Sequence, residues 1–214
     1  MIKKEIISFV KGFLPLEDAT QRYHSRWLKA VIERILVEMY ADLYHINPLL
    51  VDKYTMQYGV TTPIAISLET SSGIYYSTLP VQIVTLPDKQ SGVRRIYSAV
   101  QGSNMFVPMD AREADLIFNT DVAIVSGKIG YRTRQDTRVD YWNTNAVVRN
   151  TGVRMDLLVP FSVYLDTDVV QIPELSEKEG GSFIQRVLKE LQVVPPAELS
   201  DDNAPAKEQS NNRQ

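Results

Sequence analysis

The chain has 214 residues, of which 44% are hydrophobic and 23% are charged, close to the averages of soluble globular proteins. A formal net charge of -3 excludes an overall basic field of the kind that attracts duplex nucleic acid or anionic membranes. The absence of cysteine from the sequence excludes disulfides, thiolate nucleophiles and Cys-ligated metal sites. We therefore expect one large or two small folded domains, without a membrane-spanning segment and used without export.

Residues 1–46 are predicted to be helical. Apolar residues recur at spacings of three and four from the second residue onwards, which predicts a short amphipathic helix that Pro15 ends. A second helix is predicted to begin at Asp18, whose carboxylate suits an N-cap, and to run to Asn47-Pro48 without a glycine or proline. This pattern indicates an N-terminal hairpin with one long helix.

The second helix carries more apolar surface than a single packing partner would cover. Its main stripe is flanked by aromatic residues, and aromatic residues and Arg are the types that favour the centres of protein interfaces. Two interpretations are open: a sheet and the first helix cover this surface, or another subunit does. In the second case the interface residues are Tyr23, Arg26, Trp27, Tyr40 and Tyr44.

The charges of this helix run against its dipole, because the basic residues come first and the acidic ones follow. These residues are Arg22, Arg26, Lys29, Glu33, Glu38 and Asp42. Either the order is an accident of a solvated face, or the basic half of one copy faces the acidic half of the next copy in a ring.

Residues 47–175 form a β-rich region, in which short runs of β-branched and aromatic residues alternate with turn residues. Strands are predicted at 65–69, 79–86, 93–100, 121–126, 129–134, 138–142, 153–159 and 169–172. Alternation of valine with polar residues suits sheets with one solvated face. We expect an antiparallel β-sandwich or a small barrel, and an α+β fold for the whole chain.

The last helix is predicted at residues 176–194. Ser176 is a plausible N-cap, the apolar face that follows has helical spacing, and Pro195-Pro196 ends the helix. Residues 195–214 are rich in Asp, Asn, Gln and Pro and contain one Leu, so we expect a disordered tail.

Signatures of catalysis are missing from the sequence. The Gly127-Lys128 pair lacks the hydroxyl residue and the first glycine of a phosphate-binding loop. His24 and His45 are about six turns apart on one helix, too far to share a metal ion through that helix. Asp166-Thr167-Asp168 suits a turn or the entry to a strand better than a calcium loop, whose glycine and distal Glu are missing. We expect no enzyme and neither a cofactor nor a metal.

One basic cluster lies on two neighbouring predicted strands, and we define it as Lys128, Arg132, Arg134 and Arg138. Aromatic residues interleave with it, which is the composition of surfaces that bind nucleic acid. Because Asp136 and Asp140 lie in the same stretch, cross-strand ion pairing is the alternative, and it explains the pattern without a ligand.

Two segments carry a resemblance to a known family: Leu16-Glu17-Asp18-Ala19-Thr20-Gln21-Arg22-Tyr23, which opens the long helix, and Ile172-Pro173-Glu174, which leads to the final helix. In these segments and in the order of its regions, the chain resembles the head-to-tail adaptor or connector proteins of the neck of tailed bacteriophages. It is most similar to ring proteins of phages that infect Bacteroides-type hosts.

The resemblance implies a non-enzymatic virion protein that is assembled in the host cytoplasm. Such a protein forms a homo-oligomeric ring, expected to be a dodecamer, contacts the portal and other neck or tail ring proteins, and lines part of the channel for genomic DNA. The β-rich middle departs from the mainly helical adaptors of this class. One alternative is a monomeric carbohydrate- or protein-binding β module. Another is an enzyme on an unfamiliar β scaffold, with Asp110, Glu113, Asp166 and Asp168 as its carboxylates.

Overall fold

A computed structural model describes residues 1–14, 25–86, 92–100, 106–110, 128–134, 137–173 and 182–191. In these ranges the chain is an α+β protein, as predicted. The α-helices are α1 (Lys3–Gly12), α2 (Ser25–Ile46), α3 (Ala146–Thr151) and α4 (Phe183–Glu190). Two 3-10 helices lie at Pro48–Tyr54 and Phe161–Val163. The strands are β1 (Met56–Tyr58), β2 (Ser67–Glu69), β3 (Ile74–Thr78), β4 (Val93–Ser98), β5 (Phe106–Pro108), β6 (Ile129–Arg134), β7 (Arg138–Trp142) and β8 (Val153–Leu157).

The strands form two sheets. One has three antiparallel strands in the order β1-β8-β4, and the other has five strands in the order β2-β3-β7-β6-β5. Within the described ranges the sheets do not close, so the small-barrel alternative is wrong. The prediction of a purely antiparallel region is also wrong at one edge, because β5 pairs with β6 in parallel. A parallel neighbour requires a long connection, which residues 109–128 supply.

Some strand predictions are confirmed and others are wrong. Strands β6 and β7 have the predicted bounds, whereas β2, β4 and β8 are shorter than predicted. Residues 79–86 form no regular strand although four of them are buried, and Pro80 has no N–H for a ladder. At 169–172 only Val169 pairs, as a single bridge to Ile2. Strands β1, β3 and β5 were not predicted, and the predicted strand at 121–126 lies outside the described residues.

Helix α2 ends where the sequence predicts. Asn47 caps the following 3-10 helix by accepting a hydrogen bond from the Leu49 N–H at its Oδ1, 3.0 Å away, and Pro48 takes its first position. The predicted start of this helix at Asp18 lies outside the described residues. The buried residues of α2 are Leu28, Val31, Ile32, Ile35, Leu36, Met39, Tyr40 and Leu43.

Helix α4 begins later than predicted. Ser182, not Ser176, is its N-cap: the Ser182 hydroxyl accepts from the Gln185 N–H, and the Gln185 side chain accepts from the Ser182 N–H. This capping box follows Gly180-Gly181, a pair that disfavours a helix. The predicted tail at 195–214 lies outside the described residues.

The helices and both sheets share one hydrophobic core. Helix α2 packs against α4 and both 3-10 helices. Helix α1 adds Ile6 and Val10, which are 0% exposed, and the backbone N–H groups of its first turn donate to the carbonyls of Asp166 and Asp168. The long helix therefore has partners within its own chain along most of its length.

Candidate functional site

The five residues predicted for an oligomer interface have different environments. Tyr40 is 0% exposed and lies in the core, so its side chain cannot contact another subunit. Tyr44 is half-buried, with the Arg94 guanidinium 5.7 Å from its ring centroid. Trp27 is 43% exposed and Arg26 is also exposed, whereas Tyr23 lies outside the described residues. Arg26 and Trp27 are consecutive exposed residues of α2, and we call them the Trp27 patch.

The acidic residues of α2 have partners within the chain. Glu33 Oε2 accepts a hydrogen bond from the Ser162 N–H at 3.0 Å, and Asp42 Oδ2 lies 2.6 Å from Arg186 Nη1. Glu38 pairs with Arg34 one turn earlier, at 3.9 Å. The observed pairs therefore account for the acidic half of the helix without a second subunit.

A second exposed apolar surface lies where the chain start meets the segment before α4. Met1, Leu165 and Val169 are 49%, 68% and 65% exposed. The backbone segments that carry them are joined: Met1 exchanges backbone hydrogen bonds with Val170, and Leu165 N–H donates to Asp168 Oδ2 at 2.7 Å. That last bond confirms the turn predicted at Asp166-Thr167-Asp168. We call this surface the Leu165 patch.

The register of the five-stranded sheet separates its two faces. Residues paired across antiparallel strands share a face, so Tyr131, Tyr141 and Val139 lie on the buried side. There the Ser77 and Tyr141 hydroxyls are 2.7 Å apart, and burial raises the pKa of Tyr131 to about 12. The other face carries Arg132 and Arg134, and it is the solvated side at this edge of the sheet.

Arg138 of the basic cluster is held by ion pairs on this outer face. Its Nε lies 2.7 Å from Asp140 Oδ1, and its Nη1 and Nη2 lie 3.0 and 3.1 Å from the Glu69 carboxylate oxygens. The guanidinium also stacks on the Tyr76 ring, 4.6 Å from its centroid. Arg138, followed by a hydrogen bond from Ser72, lowers the pKa of Glu69 from 4.5 to about 2. The ion-pairing interpretation therefore describes Arg138.

The other three members of the basic cluster are exposed: Lys128, Arg132 and Arg134. Arg132 lies directly opposite Asp140 in the β6–β7 register, and Arg134 lies opposite Arg138. Because Asp140 and Glu69 are bonded to Arg138, the described residues at this end of the sheet face carry an excess of positive charge. A DNA-facing role for these residues stays a prediction.

A polar cleft lies between the first 3-10 helix and the outer face of the three-stranded sheet. Its volume is about 260 Å³, and its lining consists of Leu49, Asp52, Lys53, Thr55, Arg94, Arg95 and Asp156. Asp52 joins the two elements: its Oδ1 lies 2.8 Å from Arg94 Nε, and its Oδ2 lies 3.1 Å from Arg95 Nη2. Burial, followed by a hydrogen bond to Asp156, raises the pKa of Tyr97 at the cleft edge.

Sequence reasoning missed this cleft. Its residues come from three segments, at 49–55, 94–95 and 156, and only the fold brings them together. One signal was present: Arg94-Arg95 places two charged residues in succession in a strand, which breaks the alternation and indicates a bulge. The structure has a register irregularity at this place, between Val93 and Arg95.

Among the described residues, no group of three or more His, Asp or Glu side chains could hold a metal ion. None of the helices in these ranges is long and apolar enough to cross a membrane. No protein-family model matches the chain, and no curated protein sequence matches it.

Proposed function

We propose that this chain is a structural virion protein that forms a homo-oligomeric ring in the neck of a tailed phage, between the portal and the tail. Two lines of argument support the proposal: the resemblance of its sequence to neck ring proteins, and the exposure of Trp27 on a helix that is otherwise well packed. The second is the observation that carries it, because an exposed Trp beside an Arg has the composition of an interface centre.

A closed ring requires a heterologous interface, in which two different surfaces of each copy meet. The described residues include two exposed surfaces of suitable character, the Trp27 patch and the Leu165 patch. The first carries the positive charge of Arg26, and the second carries the exposed carboxylate of Asp166. We propose that the Trp27 patch of one copy contacts the Leu165 patch of the next.

In this ring, the outer face of the five-stranded sheet is the part that contacts DNA. Lys128, Arg132 and Arg134 are exposed there, and such charges bind phosphates by releasing counterions. Arg138 holds this surface together and is not itself a DNA contact, since its guanidinium is bonded to Glu69 and Asp140.

Native mass spectrometry over a range of protein concentrations tests the ring, first with the chain alone and then with the portal protein of the same phage. We expect a ring-sized multiple of the 24.3 kDa chain mass, alone or on the portal. A protein that stays monomeric at every concentration and does not bind the portal protein would contradict the proposal. That result would favour the carbohydrate- or protein-binding module.

Two variants test the interface itself. Trp27→Asp inactivates one patch and Val169→Asp inactivates the other, and each is expected to weaken association by about 30-fold or more. Mixed together, the two variants retain one intact interface between unlike copies, so they should form a heterodimer and stop. Val60→Asp, at a residue 52% exposed outside both patches, is the matched control and should assemble normally.

DNA binding is tested separately on the assembled protein. The double variant Arg132→Gln with Arg134→Gln should lower the affinity for duplex DNA and flatten its dependence on salt concentration. Lys189→Gln removes an exposed cation from α4 and should change neither. Equal behaviour of the two variants would remove the DNA-facing role from the sheet.

A further inference from the structure

The polar cleft has a chemistry that the ring does not use. It is lined by three cations, Lys53, Arg94 and Arg95, and by two carboxylates, Asp52 and Asp156. At about 260 Å³ the cleft is smaller than the pockets that hold drug-sized ligands. Its volume suits a small ion that carries at most one or two further chemical groups. The inference below does not depend on the proposed function.

A β-bulge directs two successive arginines to this cleft. Val93 lies opposite Leu157 and Arg95 lies opposite Asp156, so Arg94 is the extra residue on β4. Arg94 turns toward the 3-10 helix, where its Nη2 donates to the Pro48 carbonyl at 3.0 Å. Arg95 lies on the solvated face, and its side chain is 55% exposed. Without the bulge, the two side chains would point to opposite faces.

The charges of the cleft are not balanced. Asp52 is bonded to both arginines, and this carboxylate therefore has little capacity left for another cation. Lys53 is exposed, and no other residue in the described ranges forms an ion pair with it. Lys53 and the exposed part of Arg95 are thus donors available to an anion.

Asp156 lines the same cleft, but its carboxylate requires a hydrogen-bond donor, whereas Lys53 and Arg95 require an acceptor. It is 7% exposed, and its Oδ2 accepts a hydrogen bond from the Tyr97 hydroxyl at 2.7 Å. No other side chain among the described residues is hydrogen-bonded to this carboxylate, so Oδ1 is an acceptor at the wall of the cleft. An anion without a hydrogen to donate would meet repulsion there, whereas a hydroxyl would be accepted.

From this combination we infer that the cleft binds a small oxyanion that also carries a hydroxyl group: hydrogen phosphate, or a phosphate monoester with an adjacent alcohol. Lys53 and Arg95 bind the charged oxygens, a use for which the planar guanidinium is suited. Asp156 accepts the hydrogen bond of the hydroxyl and, by the same contact, rejects sulfate, which has no hydrogen at neutral pH.

Calorimetric titration of the full chain at pH 7 tests this inference, with ionic strength matched by potassium chloride. Inorganic phosphate and glycerol 3-phosphate are the two probes, and the tighter of them identifies the source of the ligand. Sulfate should bind at least about tenfold more weakly than the better probe, which is the effect of one hydrogen bond to a charged group. Sulfate binding as tight as that probe, or no binding of either probe, would overturn the inference.

Variants locate the site. Lys53→Gln should weaken both phosphate and sulfate, whereas Lys189→Gln, which removes an exposed cation of α4 outside the cleft, should weaken neither. Asp156→Asn keeps the shape of the side chain and should abolish the preference for phosphate over sulfate. If Asp156→Asn does not fold, the comparison of phosphate with sulfate on the original chain still tests the preference. Arg95→Gln then tests the location of the site, because this exposed side chain can be changed without opening the core. Unchanged binding in Lys53→Gln and in Arg95→Gln would overturn the assignment to this cleft.

Discussion

The Arg138 guanidinium on β7 forms a two-bond ion pair with the Glu69 carboxylate on β2, although β3 lies between these strands. The Tyr76 ring of β3 lies under the guanidinium and supports it as it crosses. β2 is a three-residue strand at the sheet edge, and a strand this short gains little stability from its backbone hydrogen bonds with β3. The ion pair therefore ties the edge strand to the centre of the sheet.

Replacing Arg138 by Lys should destabilise the protein by about 1–2 kcal/mol, because an ammonium cannot donate in parallel to both carboxylate oxygens. Urea unfolding followed by circular dichroism measures this change. Arg132→Lys, at an exposed position on the adjacent strand, is the control and should stay within about 0.5 kcal/mol of the original chain. An equal loss of stability in both variants would show that the two-bond geometry of the Arg138–Glu69 pair adds no stability.

The same ion pair predicts a pH dependence. The folded state holds the pKa of Glu69 at about 2, against its usual 4.5, so between these values the unfolded chain binds more protons than the folded one. The Glu69 contribution is therefore fully present above pH 4.5 and is lost as the pH falls toward 2. We expect the stability difference between the original chain and Glu69→Gln to shrink across this window, measured by urea unfolding at each pH. A constant difference would contradict the prediction.

Lys3 is a buried cation at the start of the chain, only 6% exposed. Its ammonium donates to the carbonyl oxygens of Ser162 at 3.3 Å and Tyr164 at 2.5 Å. Lys3→Met keeps the apolar stem but leaves these carbonyls unpaired, at an expected cost of about 1–3 kcal/mol. Lys4→Met, at the exposed neighbouring position, should be close to neutral. Thermal and urea unfolding measure the stability of the two variants, and equal stabilities would contradict the prediction.

Two glycines with positive φ differ in their surroundings. A Cβ on Gly152, at φ 80°, would lie 2.5 Å from the Ile64 carbonyl oxygen, whereas one on Gly73, at φ 71°, would have nothing within 4 Å. Gly73→Ala should therefore cost about 1 kcal/mol, from its backbone conformation alone. Gly152→Ala should cost about 3 kcal/mol or more, because β8 must also move away from Ile64. Equal losses of stability in the two variants, measured by urea unfolding, would show that the backbone at Gly152 and Ile64 moves apart without a measurable cost.

The elements that the sequence predicts well are those with a strong local pattern. The apolar stripe of α2 recurs every three or four residues, and each of its members from Leu28 to Leu43 is buried as that spacing requires. Strands β6 and β7 match their predicted bounds because turn residues flank them. Residues 79–86 are the exception: four of their apolar residues are buried, but burial does not require a ladder partner.

The candidate site was less predictable, since its contacts are not local. The pattern marked Tyr40 and Trp27 alike as extra apolar surface on one helix, and only the packing of neighbouring elements decides that Tyr40 is buried and Trp27 exposed. Likewise, a cluster of four basic residues was visible, but the partner of Arg138 at Glu69 lies 69 residues away in the chain.

The sequence by itself determined the α+β class, the long helix and its end at Asn47, because helical periodicity and caps act within a few residues of the chain. Only the tertiary structure decided which side chains stay exposed, which charges are neutralised and where the polar cleft lies. Burial and ion pairing depend on segments that are distant in sequence, and no local pattern records which of them will meet.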